Sequence, residues 1–327
     1  MRYPELDGTA ILDGALLWHN APGSAQRARA ITLHTGLAET RSGLSYLRES
    51  LKLSVRAHAN PAATRAWVPY WNSSPLLTAL ARARPAVLKK IYRPYLSNRL
   101  RCQQRLDVLT SHYALVERHG LGELVLAAAR APVLLAEFAA KSGGLYRIEL
   151  VAMHCMEREG ELVLQLSTEG VVIFSVAFTC FDEHGVQAVA IGCLQGGRSD
   201  DAQDKIRSAT RELFGLRPKT LMVRLVQQIG HQLGCRDLLL VGNRNRVVHQ
   251  QIRKGLVSAD YDGSWLELGA TERMDGDFVL PCSALAEPDL AAIASNKRSE
   301  ARKRFALLSS VAEATWRGMR PAMTLAA

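Results

Sequence analysis

The stretch V-Q-A-V-A-I-G-C-L-Q-G-G-R-S-D-D, residues 186–201, decides the fold that this sequence predicts. Its first nine residues are almost all apolar and are typical of a buried strand, whereas the last seven are polar and rich in glycine. Open α/β sheets place ligand-binding loops where a buried strand ends in such a break. The sequence therefore predicts a ligand site at the end of this strand.

Downstream, the pattern changes to two amphipathic helices and a second apolar strand. The helices are separated by G-L-R-P-K at residues 215–219, and the strand covers residues 237–241. Because helices lie between the two apolar strands, the second strand reaches the sheet through a crossover, which permits parallel pairing. A further strand is predicted at residues 277–281 and a closing helix at residues 287–317.

Upstream, short polar turns that end in glycine separate a series of strands. The predicted strands cover residues 145–153, 161–167, 171–181 and 186–194. Such short connections force neighbouring strands to pair antiparallel, so the sequence predicts a four-stranded meander. The break S-G-G at residues 142–144 marks the boundary before it.

The part before this boundary is predicted to be helical. Residues 1–45 are interpreted as a weakly structured lead-in, and residues 121–142 are rich in alanine and leucine and are predicted to be helical. The chain thus divides into a helical, basic N-terminal region, residues 1–144, and an α+β domain, residues 145–327.

Basic residues are concentrated at residues 82–105, where no acid interrupts them. They are Arg82, Arg84, Lys89, Lys90, Arg93, Arg99, Arg101 and Arg105. Tyrosines at positions 92 and 95 lie among them, and such a surface suits nucleic acid or an anionic membrane surface. A solvated basic face on ordinary helices explains the same run.

The whole chain is basic, with 41 Lys and Arg against 31 Asp and Glu and a net charge of +10. This favours an anionic small molecule, an acyl carrier, nucleic acid or an acidic membrane as partner, although a merely basic protein explains it equally well. No apolar leader opens the chain, and no apolar run approaches the roughly 20 residues that span a bilayer. We therefore expect a cytoplasmic protein, with its oligomeric state left open.

Six cysteines are scattered, mostly through apolar runs, and form no C-x-x-C pair. They are interpreted as reduced, buried side chains, so no structural metal or disulfide is expected. The motifs G-x-x-x-x-G-K-[ST], G-x-G-x-x-G after a strand, H-E-x-x-H and G-x-S-x-G are all absent. Ordinary NTPase, dinucleotide-dependent, zinc-protease and serine-hydrolase functions lose most of their support.

The best candidate for an anion site is the segment Gln195, Gly196, Gly197, Arg198 and Ser199. Two adjacent glycines let backbone N–H groups approach an oxyanion, the following helix adds its dipole, and Arg198 supplies a charge. The alternative is a plain strand-to-helix turn, in which an aspartate at position 200 or 201 caps the helix.

A second group of candidates follows the second apolar strand. Tyr261 and His249 are predicted to donate or accept a proton in catalysis. Asn243, Trp265 and Glu267 are predicted to bind substrate. The alternatives are structural: a lone histidine is more often a satisfied structural residue, Asn243 can hold its own turn, and the segment around Trp265 can be a packed lid on the sheet.

Several of these segments occur in the order found in the VirK/YbjX family of bacterial proteins, which this chain resembles. The matching segments are R…H-Y at 105–113, residues 146–166, I-G-C-L-Q-G at 191–196, G-L-R-P-K at 215–219, V-G-N at 241–243, Y-D…W…E-L-G at 261–269 and K-R at 297–298. Gly242 and Ala270 depart from the family pattern and affect only local contacts.

This resemblance implies a protein of Gram-negative bacteria with a link to virulence and to resistance against host antimicrobial peptides. It also implies a stress response that includes the response to DNA damage. It supplies no catalytic residues.

The order of the predicted elements also looks like the GNAT-type fold of acyl-CoA-dependent N-acyltransferases. In that fold, backbone amides after the fourth strand hold the pyrophosphate of coenzyme A, and residues 195–198 would take that place. The usual glycine-spaced motif is absent, and two helices rather than one precede the parallel strand. The expected fold is α+β, with a helical N-terminal region followed by a GNAT-like mixed sheet.

Two functions from different classes fit these features. One is transfer of an acyl group from a coenzyme A thioester to an amine. The other is a non-catalytic virulence or stress-response accessory protein that binds nucleic acid, an envelope component or another protein.

Overall fold

A computed structural model of the chain describes residues 30–40, 43–183, 185–197, 201–248 and 259–320. Ile31–Ala327 form one compact unit. Within the described residues the α-helices are α1 (Leu44–Ala59), α2 (Pro61–Trp71), α3 (Pro75–Ala83), α4 (Cys102–Arg118), α5 (Gly122–Arg130), α6 (Ala202–Glu212), α7 (Pro218–Gln232), α8 (Asp262–Glu267) and α9 (Ser295–Met319). The 3-10 segments of the same residues are η1 (Leu33–Leu37), η2 (Pro85–Tyr92) and η3 (Asn243–Asn245).

Proline determines where several of these helices begin. Pro61, Pro75 and Pro218 each stand at the start of a helix, where a missing backbone N–H removes no helical hydrogen bond. Ser74 caps α3 by accepting a hydrogen bond from the backbone N–H of Leu77. The predicted succession of short helices before the sheet thus follows from local sequence.

One mixed sheet contains every strand of the described residues. The strands are β1 (Val133–Ala139), β2 (Leu145–Ala152), β3 (Leu162–Thr168), β4 (Val171–Glu183), β5 (Val186–Gly196), β6 (Asp237–Leu240), β7 (Thr271–Glu272) and β8 (Phe278–Pro281). Their order is β1-β2-β3-β4-β5-β6-β8-β7, and the pairing is antiparallel except between β5 and β6, which run parallel. The predicted meander, the crossover to β6 and the α+β class with a mixed sheet are confirmed. The likeness to the GNAT-type fold stays a prediction.

The predicted helix over residues 121–142 is wrong in its second half. Helix α5 ends at Arg130, and β1 follows as an edge strand that pairs antiparallel with β2. The residue before Pro132 is driven away from helical backbone angles, and Ala131 is accordingly extended. Backbone pairing with β2 then outweighs the helical preference of alanine and leucine. The closing helix is also shorter than predicted, since α9 begins at Ser295.

Helices and sheet share one large hydrophobic core within the described residues, and a small second cluster contains Val151, Val163 and Ala177. The largest fully buried side chains of the large core include Trp67 and Trp71 of α2, Tyr113 of α4, Phe178 of β4 and Trp265 of α8. The division of the chain at residue 144 stays a prediction.

A buried ion pair joins the helical part to the sheet. Lys90 of η2 donates from Nζ to Oε1 of Glu161 over 2.5 Å, and the two side chains are only 4% and 1% exposed. Tyr113 of α4 donates its hydroxyl to the other carboxylate oxygen. Burial alone would raise the pKa of Glu161, but the Lys90 ammonium, His112 and these hydrogen bonds together lower that pKa.

Two further groups extend this network along β4. The hydroxyl of Thr179 lies 2.8 Å from the hydroxyl of Tyr95 and accepts a hydrogen bond from the backbone N–H of Glu161. His112 donates from Nδ1 to the carbonyl of Cys180 over 3.1 Å, and its Nε2 has no hydrogen-bond partner among the described residues. Burial lowers the pKa of His112 from 6.5 to about 4.

Replacing Lys90 alone should be far more damaging than replacing an exposed lysine. Lys90→Met leaves the Glu161 carboxylate buried without its cation, and we expect the free energy of unfolding to fall by about 3–5 kcal/mol in urea titrations. Lys90→Met/Glu161→Leu should recover most of that loss, because the buried charge is then gone as well. The matched control is Lys52→Met, which removes an exposed pair with Glu49 and should cost less than about 1 kcal/mol. Equal losses for the two lysines would contradict a buried pair.

His112 should make stability depend on pH. The unfolded chain takes up a proton on this residue as the pH falls through 6.5, whereas the folded protein does not do so until about pH 4. Stability is therefore lost between these values, by up to about 3 kcal/mol. His112→Asn, which keeps a donor for the Cys180 carbonyl, should flatten this part of the pH–stability curve. Parallel curves for the two proteins would show that His112 does not carry the effect.

Candidate functional site

A β-bulge interrupts β5 where its parallel partner ends. Ala177 and Phe178 are consecutive on β4, but their partners on β5 are Cys193 and Ile191, so Gly192 is an extra residue. The pairing of β5 with β6 stops at Ile191. Bulges bend a strand and occur next to active sites, and this one separates the end of β5 from β6.

The bulge requires a glycine. A Cβ on Gly192 would lie 2.0 Å from the carbonyl oxygen of Glu159, in the connection between β2 and β3. No side chain fits in that space, so the connection can lie directly against β5 only because position 192 is glycine.

Tyr261 occupies the gap that opens beyond the bulge. Its hydroxyl donates to the carbonyl of Leu194 and accepts from the N–H of the same residue, each over 2.6 Å. The guanidinium of Arg246 lies 3.7 Å from the centroid of the tyrosine ring. Burial is the main cause that raises the pKa of Tyr261 well above its ordinary value, and the nearby Cys193 is the second cause. The hydroxyl thus takes the place of a strand partner for β5, and its catalytic role stays a prediction.

Asn243 and Trp265 hold the segment around α8 against the end of β6. The Asn243 side chain donates to Asp260 over 2.7 Å and accepts from the backbone N–H of Tyr261 over 2.9 Å. Trp265 is fully buried and donates from Nε1 to the carbonyl of Val241. These contacts are those of a packed lid on the sheet. In this geometry Asn243 and Trp265 hold other parts of the protein in place, so their effect on a substrate would be indirect.

A cavity between α6 and α7 lies near the predicted anion segment, although Gln195, Gly196 and Gly197 do not line it. Strand β5 extends through Gln195 and Gly196, two residues further than predicted, and Gln195 lies opposite Ser175. A Cβ on Gly196 would come within 3.0 Å of Ile206, which lines the cavity. The backbone N–H of Gly197 donates to the carbonyl of Ile173. Arg198, Ser199 and the predicted proton carrier His249 lie outside the described residues.

We call this space the cationic cavity; it has a volume of about 690 Å³. Its lining residues are Phe174, Gln203, Ile206, Arg207, Thr210, Arg211, Arg217, Pro218 and Lys219. Four of them are cations and none is an acid. The N-terminus of α7, at Pro218, adds the positive end of a helix dipole.

Glu267 supplies a carboxylate to two of these cations. Arg217 donates to its Oε2 over 3.2 Å and Lys219 over 3.4 Å. Arg207 is paired with Asp204, whereas the side chain of Arg211 makes no hydrogen bond or ion pair with the described residues. Glu267 thus acts as an internal counter-ion to two cations of the cationic cavity, and its substrate-binding role stays a prediction.

A second space, the acidic cavity, has a volume of about 610 Å³. Its apolar lining is Leu96, Leu100, Val108, Phe181, Ala190, Leu239, Leu240 and Val241. Its polar lining is Ser97, Arg99, Arg101, Gln104, Asp107, Asp182, Glu183, Arg273, Asp275 and Asp277. Five carboxylates therefore face three guanidinium groups, which gives the lining a net negative charge.

Ion pairs and one half-buried carboxylate, that of Asp277, organise the acidic cavity. Arg273 binds Glu183 through two nitrogens over 3.0 and 3.2 Å, and Arg99 lies 3.2 Å from Asp275. Asp277 accepts hydrogen bonds from the backbone N–H of Gly242 and from the amide of Asn245, both over 2.9 Å. Burial raises the pKa of Asp277 despite these bonds.

The basic run at residues 82–105 is largely held by internal contacts. Its contacts are Arg84 with the carbonyl of Ala129, Lys90 with Glu161, Arg93 with Glu157, Arg99 with Asp275 and Arg105 with the carbonyl of Ile91. These residues do not form one continuous solvated surface. Binding of nucleic acid or an anionic membrane through this run stays a prediction.

Arg207 and Arg211 of the cationic cavity and Asp277 of the acidic cavity are not among the site residues predicted from the sequence. The first two had a detectable signal, because residues four apart lie on one face of a helix. Asp277 had no such signal, since its partners Gly242 and Asn245 lie 35 and 32 positions away in the chain.

Neither a membrane-spanning segment nor a metal cluster occurs in the described part of the chain. No helix there is long and apolar enough to cross a membrane. No group of three or more His, Cys, Asp or Glu side chains is placed to hold a metal ion. The six cysteines, all of them described, have free thiols. The expectation of no structural metal or disulfide stays a prediction.

Comparison with known proteins yields relatives without an assigned activity. A family model described as "Protein of unknown function (DUF535)" matches residues 42–316. The uncharacterized protein YbjX of Escherichia coli (strain K12) is 29% identical over 227 residues, which are 68% of each chain. An uncharacterized protein of Haemophilus influenzae (strain ATCC 51907 / DSM 11121 / KW20 / Rd) is 29% identical over 122 residues, 37% of this chain and 41% of that protein.

One solved structure is also similar, a cAMP-binding acyltransferase from Mycobacterium smegmatis. It is 11% identical, with a TM-score of 0.29, and the match covers 64% of this chain and 61% of that one. At this TM-score the likeness carries no argument about fold or function.

The hydroxyl of Tyr261 should stabilise the end of β5. Tyr261→Phe leaves the N–H and carbonyl of Leu194 without their buried partner, so we expect the free energy of unfolding to fall by about 1–3 kcal/mol. Hydrogen exchange at the Leu194 amide should become faster. The control is Tyr146→Phe, because the Tyr146 ring stacks on Phe138 and its hydroxyl makes no hydrogen bond within the described residues. Unchanged exchange at Leu194 would show that the gap is closed in another way.

Proposed function

This chain belongs to the DUF535 family of proteins of unknown function, and we propose that it transfers an acyl group from an anionic thioester carrier, such as a coenzyme A thioester, to an amine. The family match agrees with the resemblance to VirK/YbjX that the sequence motifs carry. Because the family supplies no reaction, the support comes from the two cavities and their charges.

The observation that carries the proposal is the cationic cavity at the glycine end of β5. Arg207, Arg211, Arg217 and Lys219 line it without any acid, so it attracts a ligand with several phosphate charges. Its volume of about 690 Å³ lies in the range of small-molecule and cofactor sites. The GNAT-type fold that the sequence resembles holds the carrier's pyrophosphate at this same strand end.

Glu267 sets the conditions for binding at this site. Its carboxylate already binds Arg217 and Lys219, so an incoming phosphate must displace it or share these cations. Arg211 has no such partner among the described residues and is therefore the first cation available to a ligand. The cavity should accordingly prefer a ligand with more than one negative charge over a monovalent anion.

The acidic cavity suits the acceptor. Its excess of carboxylates attracts an ammonium group, and its apolar lining accommodates a hydrocarbon part. Asp277 has a raised pKa, so it accepts a proton more readily than a solvated carboxylate does. In the proposed step the bound ammonium first releases one proton to solvent. The neutral amine nitrogen then bonds to the thioester carbon, the carbon–sulfur bond breaks, and the second proton passes from nitrogen through Asp277 to the leaving thiolate.

The two cavities lie toward opposite ends of β4. Phe174 lines the cationic cavity and Phe181 the acidic one, and seven residues of extended strand cover roughly 23 Å. In a carrier that reaches both cavities, the phosphates and the thioester must therefore be separated by a comparable distance. Coenzyme A, with its flexible arm, meets that requirement.

Substitutions at the cationic cavity should change the affinity for coenzyme A in opposite directions. Arg211→Ala removes a charge-assisted contact worth about 1.5–3 kcal/mol, which is a loss of roughly ten- to hundredfold in calorimetric titrations. Glu267→Gln removes the internal competitor and should tighten binding. The charge-matched control is Arg317→Ala, which removes an exposed arginine of α9 and should leave the affinity unchanged.

Transfer itself is tested with acetyl and longer acyl thioesters of coenzyme A and a panel of primary amines. Free thiol and the acylated amine, detected by mass spectrometry, should appear together, and Asp277→Asn should lose transfer while still binding coenzyme A. A folded protein that binds neither coenzyme A nor its thioesters would rule out acyl transfer. Binding of nucleic acid or acidic vesicles in that same protein would favour the accessory function.

A further inference from the structure

Helix α1 presents a row of large aliphatic side chains to solvent. Leu44, Leu47, Leu51 and Val55 are 86%, 64%, 67% and 59% exposed. Their spacing of three, four and four residues puts all of them on one face of the helix. We call this face the α1 stripe. Contiguous exposed apolar surface of this kind marks an interaction site.

The stripe is not the face by which α1 is attached to the protein. Leu53 and Ala57 are the buried residues of this helix, with 6% and 8% exposure. Each follows a stripe residue by two positions, which is about 200° around the helix at about 100° per residue. The helix is therefore held by one apolar face and displays a second one on the opposite side.

A basic row runs along one edge of the α1 stripe. Arg48, Lys52 and Arg56 follow one another at intervals of four residues, and all three are exposed. Glu49 is the one acid of the helix and bonds Lys52 over 3.0 Å. Three cations against one carboxylate leave this edge positive.

We propose that the α1 stripe contacts the surface of a lipid bilayer that contains anionic lipids. An apolar helix face bordered by lysine and arginine is the composition of helices that lie in the membrane interface. The long stems of Arg48, Lys52 and Arg56 keep their charges at the level of the head groups while the stripe enters the acyl region. This surface is separate from both cavities, and its use does not depend on acyl transfer.

The features of the stripe favour a bilayer over a second copy of the chain. Self-association through α1 would bring two basic rows close together, and like charges across an interface oppose association. The four stripe residues by themselves also present less area than the roughly 800 Å² per partner of a stable interface. A bilayer needs no matching pocket, and anionic lipids complement the basic row.

The experiment measures cosedimentation of the full chain with vesicles of phosphatidylcholine alone or mixed with phosphatidylglycerol. We expect binding to the mixed vesicles that weakens as salt rises, because screening reduces the attraction of the basic row. Leu47→Gln/Leu51→Gln should weaken binding by about tenfold or more, since two large apolar groups no longer enter the bilayer. Arg48→Gln/Lys52→Gln/Arg56→Gln should remove the preference for phosphatidylglycerol.

The matched control is Leu134→Gln/Leu145→Gln, which changes two exposed leucines of the same chemistry on β1 and β2. It should bind as the unsubstituted protein does. Circular dichroism verifies that each variant is folded, since none of the substituted side chains belongs to the core. The proposal is wrong if the unsubstituted protein does not bind mixed vesicles, or if the stripe variant binds as well as the control. It is also wrong if the stripe variant alters only the mass measured by light scattering, because the face would then join copies of the chain.

Discussion

Gly192 lies so close to the carbonyl oxygen of Glu159 that a β-carbon would stand 2.0 Å from it. This contact lets the connection between β2 and β3 rest on β5, where β5 carries one residue more than its neighbour β4. The same connection leads directly to Glu161, whose carboxylate is held by Lys90 and Tyr113. The connection between β2 and β3 thus contacts the bulge of β5 and also supplies the carboxylate that binds the helical part to the sheet.

The gap beyond the bulge is filled by the protein itself. Tyr261 satisfies both backbone groups of Leu194, and Arg246 covers its ring. A buried polar backbone group without a partner is costly, so a ligand that entered this gap would have to replace both hydrogen bonds. The cavity beside Gly196 requires no such exchange, apart from the carboxylate of Glu267. Binding an anion at the cationic cavity therefore costs fewer protein hydrogen bonds than inserting part of a ligand into the gap beside Leu194.

Net charge alone does not locate a binding surface in this protein. The basic run at residues 82–105 is largely occupied by carboxylates and carbonyls, whereas the cations of α6 and α7 surround an open cavity and those of α1 border an exposed apolar stripe. A cation buried against a carboxylate contributes to cohesion, and only a cation that faces solvent can attract a partner. The cytoplasmic location and the links to virulence and antimicrobial-peptide resistance stay predictions.

The sequence by itself determined the meander and the crossover, whereas the ligand site that it predicts at the end of β5 stays a prediction. These features depend on turn length, alternation of apolar residues and adjacent glycines, all of which are local. Tertiary structure alone decided that Val133–Ala139 is a strand, because its pairing with β2 overrides the helical preference of its alanine- and leucine-rich surroundings. It also decided that Lys90 meets Glu161, 71 positions away, and that Glu267 meets Arg217, 50 positions away. Such contacts depend on how distant elements pack, and no local pattern encodes that packing.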